Sequence, residues 1–345
     1  MPVHLPYVEL YKNSCLLVLS NDLLLHLIRK TAVRVQIISS ARGFENEKVV
    51  ATIGSFDGVH RGHRMVVESL KNAAAQCGGK SAVITLSPHP AVVLHPDRQV
   101  FLLSTLEEKS ELLAATGIDY MVVLPFTKQL AQTTYSDFVR EYLVNKLHIS
   151  KLLVGYDNKM GHNGEGRFTE IEQFAVRIGL EVEQLSLLPG SDIPVSSTAI
   201  RGKLAEGDVI AAADMLGYQY GLTGKVVHGN NIGTTIGYPT ANLQPDANKF
   251  IPRRGVYIIS AIVGGHSYPG MLNIGMRPTI AGAAGSQTIE AHLFGYSGNL
   301  YGTNLTIKFV DRLRDERQFS SIDELKKQLR TDAERALSLC ANINA

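Results

Sequence analysis

Cysteine is scarce and tryptophan is absent in this chain of 345 residues. The three cysteines, Cys15, Cys77 and Cys340, are far apart and odd in number, which argues against a disulfide framework and for reduced thiols in the cytoplasm. An excess of charge is missing too: the formal net charge is +2, so nothing in the composition indicates a nucleic-acid partner. Internal repeats and low-complexity tracts are also absent.

Long apolar runs are missing as well. The most apolar stretch near the start, Cys15 to Ile28, is interrupted by Asn21, Asp22 and His26. Because a membrane-spanning helix needs about 20 apolar residues, this stretch predicts no membrane anchor. It has neither a clear basic start nor a clear small-residue cleavage site, so it does not indicate a signal peptide.

The first large part of the chain, from Val35 to about Tyr220, alternates short apolar runs with helical patterns. The predicted strands are Val49–Ile53, Ala82–Leu86, Tyr120–Leu124 and Leu152–Val154, and the predicted helices are Arg64–Gln76, Thr105–Thr116, Tyr135–Lys146 and Ile171–Ile178. Such alternation predicts an α/β domain with a parallel sheet, which binds ligands at the carboxyl edge of its strands.

The second part, from about Gly221, is a series of closely spaced strand patterns. They are Lys225–His228, Val256–Val263, Tyr268–Ile274, Thr288–Phe294 and Leu305–Val310. Gly264-Gly265 is a hairpin signal, and the pattern predicts a small antiparallel barrel. Asp323–Leu339 predicts a closing helix, capped by Ser321 or Asp323. We therefore predict two domains, 35–220 and 221–345.

The most informative segment is Gly-Ser-Phe-Asp-Gly-Val-His-Arg-Gly-His at 54–63. It follows a predicted buried strand and precedes a helical pattern, so His60 and His63 fall three apart on one face of the first helical turn. The free N–H groups of such a turn attract phosphate, and Gly58 and Gly62 leave the backbone accessible. The segment predicts a nucleotide-phosphate site built around two histidines.

Two other interpretations of this segment remain open from the residues alone. A glycine-rich turn into a helix also occurs in α/β proteins that bind no phosphate. Two histidines at this spacing are also compatible with half of a zinc site, although no cysteine pair or third clustered ligand lies nearby.

Two further motifs follow, Val195-Ser196-Ser197-Thr198-Ala199-Ile200-Arg201 and Gly237-Tyr238-Pro239-Thr240-Ala241-Asn242. Segment 54–63 resembles the signature of the nucleotidylyltransferase superfamily in its FAD synthetase branch, the second motif resembles the other signature of those enzymes, and the third resembles that of riboflavin kinase. In this order they resemble the bifunctional bacterial riboflavin kinase/FAD synthetase family, from about Val35 to about Leu337. The resemblance implies a Rossmann-like adenylyltransferase domain followed by a barrel kinase domain.

The resemblance implies an adenylyl site in the first domain, where His60 and His63 stabilise the transition state. The implied ATP-binding residues are Gly54, Phe56, Asp57, Gly58, Gly62, Ser196, Ser197, Thr198 and Arg201, and the residues of the flavin and nucleotide loops are Pro88, His89 and Asp157. Without the resemblance, Ser196 to Arg201 also fits an ordinary helix cap followed by a surface arginine.

The resemblance implies a kinase site in the second domain. Thr240 and Asn242 would bind Mg²⁺, which prefers oxygen ligands, and Glu290 would accept the proton of the ribityl hydroxyl. Further ATP and flavin contacts are implied for Gly229, Gly233, Gly237, Pro239, Asn273 and Arg277. From the residues alone, Thr-Ala-Asn also fits a loop cap and Glu290 the solvent face of a strand.

The chain departs from the family pattern at Ser87, Asn158, Met160 and Thr234. The family often has an acidic residue at the first position, aromatic residues around the next two and an arginine at the last. Residues 1–34 have no counterpart in the family and form an extension, either an added helix or a matter of start-site choice.

The sequence therefore predicts a cytoplasmic enzyme of FAD biosynthesis that acts on riboflavin, FMN and ATP, with no nucleic acid or membrane partner. One alternative is a riboflavin kinase with a degenerate adenylyl site, suggested by the substitutions at Ser87, Asn158 and Met160. A second is a flavin-binding regulator without catalysis, and a third is an adenylyltransferase for another substrate.

Overall fold

The computed structural model describes residues 36–39, 43–44, 46–155, 158–185, 195–229, 233, 236–277 and 286–343. The predicted extension 1–34, Asp157 and Thr234 lie outside these residues. Within the described part of the chain, no helix combines the length and the apolar character that crossing a membrane requires.

The first unit is a six-stranded parallel sheet in the order β1-β4-β3-β2-β5-β6. Its strands are β1 Gln36–Ser39, β2 Val49–Ile53, β3 Lys80–Ser87, β4 Tyr120–Pro125, β5 Lys151–Val154 and β6 Glu181–Gln184. Its helices are α1 Arg61–Gln76, α2 Pro90–Leu94, α3 Leu106–Ala114, α4 Lys128–Ala131, α5 Tyr135–Asp137, which continues as a π-helix over Phe138–Lys146, and α6 Phe168–Ile178, with a 3₁₀ turn at His162–Gly164.

Strand β2 lies where the order of the sheet reverses. The chain passes from β2 to β3 and β4 on one side and returns to β5 and β6 on the other. All five residues of β2 are buried, which explains its continuous apolar run. Ligands of open α/β sheets bind at the carboxyl ends of strands at such a reversal. The fold therefore places the segment after Ile53 at the position where a ligand is expected.

The second unit is a closed antiparallel barrel in the order β10-β11-β8-β7-β12-β9. Its strands are β7 Gly221–Val227, β8 Ala241–Pro245, β9 Gly255–Val263, β10 His266–Arg277, β11 Ser286–Leu293 and β12 Asn304–Arg314. Gly264 and Gly265 connect β9 to β10 with positive φ values of 57° and 84°, as the hairpin signal predicts.

Helices α7 Ser197–Glu206 and α8 Val209–Leu216 connect the two units, and α9 Ile322–Ile343 closes the chain. Ser321 caps α9 through its hydroxyl, which accepts from the Glu324 amide at 3.2 Å. A partly buried ion pair, Arg314 with Asp332 at 2.8 Å, ties α9 to β12. The predicted fold class, a parallel α/β domain followed by a barrel and a C-terminal helix, is confirmed.

The barrel core extends across the predicted domain boundary at 220/221. Side chains of α7 and α8 lie in the same apolar cluster as the barrel, together with Leu103 and Tyr220. The backbone of Leu102 pairs with the segment before β9, since its amide donates to Asn248 and its carbonyl accepts from Phe250, both at 2.7 Å. The boundary remains a prediction, but the connecting helices contribute to the interior of the second unit.

Candidate active sites

The turn after β2 has an unusual backbone. Phe56 and Val59 adopt positive φ values of 47° and 36°, a region that residues with a branched or bulky side chain rarely occupy. Gly58 has φ 77°, and a Cβ there would crowd Leu103. Strain of this kind persists where the surrounding structure imposes it and concentrates at functional sites. The Phe56 side chain is buried, 3% exposed.

The two histidines of this turn stack on each other. Their ring centroids are 3.6 Å apart with planes 15° from parallel. His60 is the N-cap of α1, and its Nδ1 accepts from the His63 amide at 3.3 Å. Gly62 makes room for this arrangement, because a Cβ there would lie 3.3 Å from the His60 ring. The pair therefore occupies the amino end of a 16-residue helix, where anions bind.

Burial keeps both histidines neutral. It lowers the pKa of His60 to about 4, although nearby Asp57 acts in the opposite direction. It also holds the pKa of His63 well below its ordinary value, an effect to which His60 and Lys109 add. The His63 Nδ1 atom is buried and has no hydrogen-bond partner among the described residues. Groups left in this condition are candidates for contact with a ligand.

Asp57 connects the turn to two other segments of the chain through hydrogen bonds. Its buried carboxylate accepts from the amides of Leu103 and Ser104, both at 3.1 Å, and from Arg201 at 2.7 Å. Its carbonyl accepts from the Ser197 hydroxyl at 2.9 Å. The first and second adenylyl motifs therefore meet, although they are far apart in sequence. Asp57 is a structural acceptor here, because its carboxylate oxygens already receive donors from the protein.

The second motif begins α7. Ser196 is the N-cap and accepts from the Ala199 amide at 3.2 Å. Arg201 reaches back to Asp57 and also lies 3.4 Å from the Thr198 hydroxyl. The cap interpretation therefore applies to Ser196. Arg201 is partly exposed and lies beside the turn of residues 54–63, which we call the histidine turn, as the phosphate interpretation expects.

The remaining predicted loop residues lie around the same edge of the sheet. His89 caps α2, accepting from the Ala91 amide at 3.2 Å, and burial lowers its pKa, with Asp57, Lys109 and Arg201 close enough to influence it. Pro88 is exposed, and Ser87 is half-buried at the end of β3.

Two departures from the family pattern are explained by the structure. The Asn158 amide donates to the Ile53 carbonyl at 2.8 Å, beside the start of the turn. Met160 is buried in the core, so it replaces no stacking surface at the site.

Sequence reasoning missed Lys109. This residue lies on α3 and is 6% exposed, and its ammonium donates to the Ser55 carbonyl at 2.6 Å and to the Thr85 hydroxyl at 3.2 Å. A signal existed: Lys109 follows Leu106 by three residues and precedes Leu113 by four, so helical periodicity places it on the apolar face.

The predicted kinase residues meet on the barrel wall. Strand register pairs Glu290 of β11 with Asn273 of β10 on one side and with Asn242 of β8 on the other. Directly opposed residues of antiparallel strands project to the same face. Their neighbours Ile289 and Ala291 point into the barrel core, so the three polar side chains lie together on the outer face. This row of Asn273, Glu290 and Asn242, which we call the barrel row, is a second candidate site.

Glycines allow close backbone contacts beside this row among the described residues before β8. A Cβ at Gly229 would collide with the Asn242 amide, and one at Gly233 would collide with the Tyr238 carbonyl. The Gly233 carbonyl accepts from the Tyr238 amide at 2.8 Å. Gly237 has φ 87°, which favours glycine. Residues 229, 233 and 237–242 therefore form a close-packed group, which we call the cradle, around the side chains of Thr240 and Asn242.

The donor set in this cradle fits Mg²⁺. Thr240 and Asn242 offer hydroxyl and amide oxygens, which this ion prefers, and it commonly completes its shell with water and substrate phosphates. No group of three or more His, Cys, Asp or Glu side chains capable of holding a metal occurs in the described part of the chain. The oxygen ligands that the cradle offers are therefore those of Thr240 and Asn242.

Thr240 also borders a cavity of about 350 Å³. Its other walls include Val226, Leu293, Leu300 and Tyr301. Tyr301 stacks on His228 with centroids 4.1 Å apart. The position beside the cradle and the mixed polar and apolar walls suit a nucleotide base. The Arg277 side chain and the segment 278–285 lie outside the described residues.

The comparisons with known proteins agree with this arrangement of two sites. The pattern of the FAD synthetase family matches residues 44–199, and that of the riboflavin kinase family matches residues 216–340. A bifunctional riboflavin kinase/FMN adenylyltransferase of Escherichia coli strain K12 is 35% identical over 83% of this chain and 91% of its own. The Listeria monocytogenes protein of the same name is 36% identical over 85% and 93%.

A solved structure shares most of the fold. A crystal structure from Streptococcus pneumoniae, described as a macrolide-efflux protein, is 27% identical. It superposes with a TM-score of 0.77 over 86% of this chain and 97% of its own. Both units of the present fold therefore occur together in another chain.

Proposed function

The chain belongs to the bifunctional riboflavin kinase/FMN adenylyltransferase family, and we propose that the histidine turn and the barrel row are its two active sites. The enzyme phosphorylates riboflavin with ATP to give FMN and transfers the adenylyl group of a second ATP to FMN, which gives FAD and pyrophosphate. The observation that carries the assignment of sites is the meeting of Asn273, Glu290 and Asn242 in one row, separate from the stacked histidines.

Adenylyl transfer joins an FMN phosphate oxygen to the α-phosphorus of ATP. The bond from that phosphorus to the bridging oxygen breaks, and pyrophosphate carries the electron pair away. The protein has to align the two phosphates and stabilise the charge that develops between them. The stacked pair and the first amides of α1 supply donors at the carboxyl end of β2, where the triphosphate is proposed to lie.

The hydrogen bond within the pair fixes one proton. Because the His60 Nδ1 accepts from the His63 amide, the neutral His60 ring carries its proton on Nε2. That N–H is the donor that we assign to a phosphate oxygen. His63 contributes its unpartnered Nδ1, which a hydroxyl or water bound with the substrate would satisfy. Arg201 adds a charged donor that Asp57 already orients.

In the kinase reaction, the terminal ribityl hydroxyl of riboflavin attacks the γ-phosphorus of ATP and ADP leaves. We assign Glu290 as the acceptor of the hydroxyl proton, with Asn273 beside it to orient the ribityl chain. Thr240 and Asn242 would hold Mg²⁺, which supplies charge neutralisation for the phosphates. The cavity next to Thr240 would take the base of this ATP.

We propose the cytoplasm as the compartment of both reactions. Cys77 is a free and exposed cysteine, in keeping with a compartment that maintains thiols in the reduced state.

Product analysis tests the whole assignment. The purified protein is incubated with riboflavin, ATP and Mg²⁺, and the flavins are separated by chromatography. We expect riboflavin to pass through FMN to FAD. Accumulation of FMN alone would indicate an inactive adenylyl site, and unchanged riboflavin would contradict both activities. Parallel incubations with FMN as the only flavin isolate the second step.

A further inference from the structure

The buried ammonium of Lys109 is held by neutral oxygens alone among its hydrogen-bond partners in the described structure. The Ser55 carbonyl and the Thr85 hydroxyl accept from it, and the same hydroxyl donates to Ser55 at 3.2 Å. Lys109 and Thr85 therefore converge on one carbonyl. That carbonyl belongs to the second residue after β2, at the start of the strained turn.

This arrangement leaves a positive charge with no carboxylate of the described residues in contact with it. Asp57 attracts it through space, but the carboxylate oxygens of Asp57 receive the amides of Leu103 and Ser104 and the guanidinium of Arg201. Burying an ammonium in this way is costly. Burial accordingly lowers the pKa of Lys109 to about 8. The free enzyme therefore holds a cation that gains stability when an anion binds nearby.

The proposed phosphate site is the neighbouring space. The charge on Lys109 contributes to lowering the pKa of His63 on α1 and of His89 before α2. Both residues lie at the carboxyl edge of the sheet, where the turn meets α1 and where β3 ends. The ammonium is thus beneath the turn and within electrostatic reach of two residues assigned to the adenylyl site.

We propose that Lys109 is a positioning residue for adenylyl transfer: it fixes the Ser55 carbonyl, and its charge beneath the turn stabilises the bound triphosphate and the departing pyrophosphate. This inference depends on the proposed function, because it takes the histidine turn as the adenylyl site. Lys109 acts through Ser55 and through space, and the contacts to phosphate remain those of the turn, His60 and Arg201.

The pH dependence of the wild-type enzyme provides a test that needs no mutation. Deprotonation of Lys109 removes the charge, so kcat/KM for ATP in the FMN-to-FAD step should fall as the pH rises through about 8. Bound phosphates stabilise the ammonium, so the fall in kcat should come at a higher pH than the fall in kcat/KM. The neighbouring histidines do not produce this limb, because burial lowers the pKa of His60, His63 and His89 below the ordinary value. The other charged neighbours, Asp57 and Arg201, pair with each other.

Substitution distinguishes charge from simple support. Lys109→Met keeps an unbranched apolar stem and removes the charge, and it should lower kcat/KM for ATP in FAD formation by about 10- to 100-fold. Lys109→Arg keeps a charge that does not titrate in this range, so the variant should retain more activity than Lys109→Met and lose the alkaline limb near pH 8. Lys71→Met, at a half-buried lysine of α1 paired with Glu68, is the matched control and should resemble wild type.

The kinase activity of the same chain reports folding in every sample. Riboflavin phosphorylation should remain near wild type in Lys109→Met. If both activities fall together, Lys109→Met has disturbed folding. The wild-type pH profile and the milder variant Thr85→Val then test whether Lys109 acts in FAD formation. A wild-type profile without an alkaline limb near pH 8, or normal FAD formation by Lys109→Met, overturns the role of Lys109. If wild type forms no FAD, the proposed function fails instead.

Discussion

The carboxylate of Glu108 and the ammonium of Lys249 lie 2.5 Å apart between the α/β unit and the barrel. Glu108 belongs to the capping box of α3 and also accepts from the Thr223 amide of β7 at 3.2 Å. Lys249 precedes β9, is almost fully buried and also donates to the Leu103 carbonyl at 2.6 Å. One ion pair therefore belongs to both units of the fold.

Removing one member of this pair should lower the free energy of unfolding by a large amount. Glu108→Gln leaves the Lys249 ammonium buried without its counter-charge, and we expect a loss of about 3–5 kcal/mol in the free energy of unfolding. The double variant Glu108→Gln/Lys249→Met should recover part of that loss, because it also removes the stranded charge. Urea denaturation followed by circular dichroism measures both. Lys203→Met, in an exposed pair with Glu206, should cost less than about 1 kcal/mol. Equal losses in Glu108→Gln and Lys203→Met would contradict the expectation.

Glu290→Gln should stop the formation of FMN and leave the conversion of FMN to FAD intact. The amide cannot accept the hydroxyl proton, and loss of a general base costs about 10²–10⁴ in rate. The two steps are assayed separately, with riboflavin or with FMN as the flavin. Gln287, an exposed residue of the same strand, offers a control as Gln287→Ala. Near-normal phosphorylation by Glu290→Gln would remove Glu290 from its assigned role.

His63→Ala should make the enzyme stop at FMN. The ring is proposed to act mainly on the transition state, so kcat for FAD formation should fall more than the affinity for ATP. Loss of the stacking partner also frees the His60 ring, so His63→Phe, which keeps a ring, tests packing separately. An increase in KM for ATP with unchanged kcat would instead make His63 a simple binding residue.

A fragment that begins at Val195 should be a better kinase than one that begins at Gly221. The predicted boundary makes Gly221–Ala345 an independent domain, but α7 and α8 contribute Ile200, Leu204 and Leu216 to the barrel core. Without them the shorter fragment exposes apolar surface. Solubility, cooperative thermal unfolding and riboflavin phosphorylation are compared for both fragments. A shorter fragment as stable and active as the longer one would restore the boundary at 220/221 as sufficient.

Local patterns predicted much of the fold. Strand β2 has the predicted bounds, and Gly264-Gly265 forms the predicted hairpin, because buried strands and tight turns depend on neighbouring residues. Strand β8 is not among the predicted strands: a loop cap is one interpretation of Thr240-Ala241-Asn242, but Ala241–Pro245 pairs with β7 and β11. Its alternation, with Ala241 and Leu243 toward the core, covers only a few residues, so the strand becomes evident only through its pairing with distant strands.

The sequence predicts which residues form the proposed site, but not which distant groups contact them. The spacing in segment 54–63 predicts that His60 and His63 lie on one face of the first helical turn; in the structure His60 is the N-cap just before that turn, and the two rings stack. The pairing of Arg201 with Asp57, 144 positions apart, and the burial of Lys109 against Ser55 depend on how elements meet in space. No local pattern indicates which distant group a buried charge will contact.

The stretch Leu102–Ser104 restricts which domain hybrids between this enzyme and its relatives would fold. Its amides hold Asp57 under the histidine turn, while Leu102 pairs with the barrel segment at Asn248 and Phe250. A hybrid that joins this α/β unit to a foreign barrel would place an unmatched surface directly behind the histidine turn. A hybrid that folds should therefore keep Lys249 and its flanking residues together with Glu108. Residues on the two sides of this contact are expected to change together in evolution.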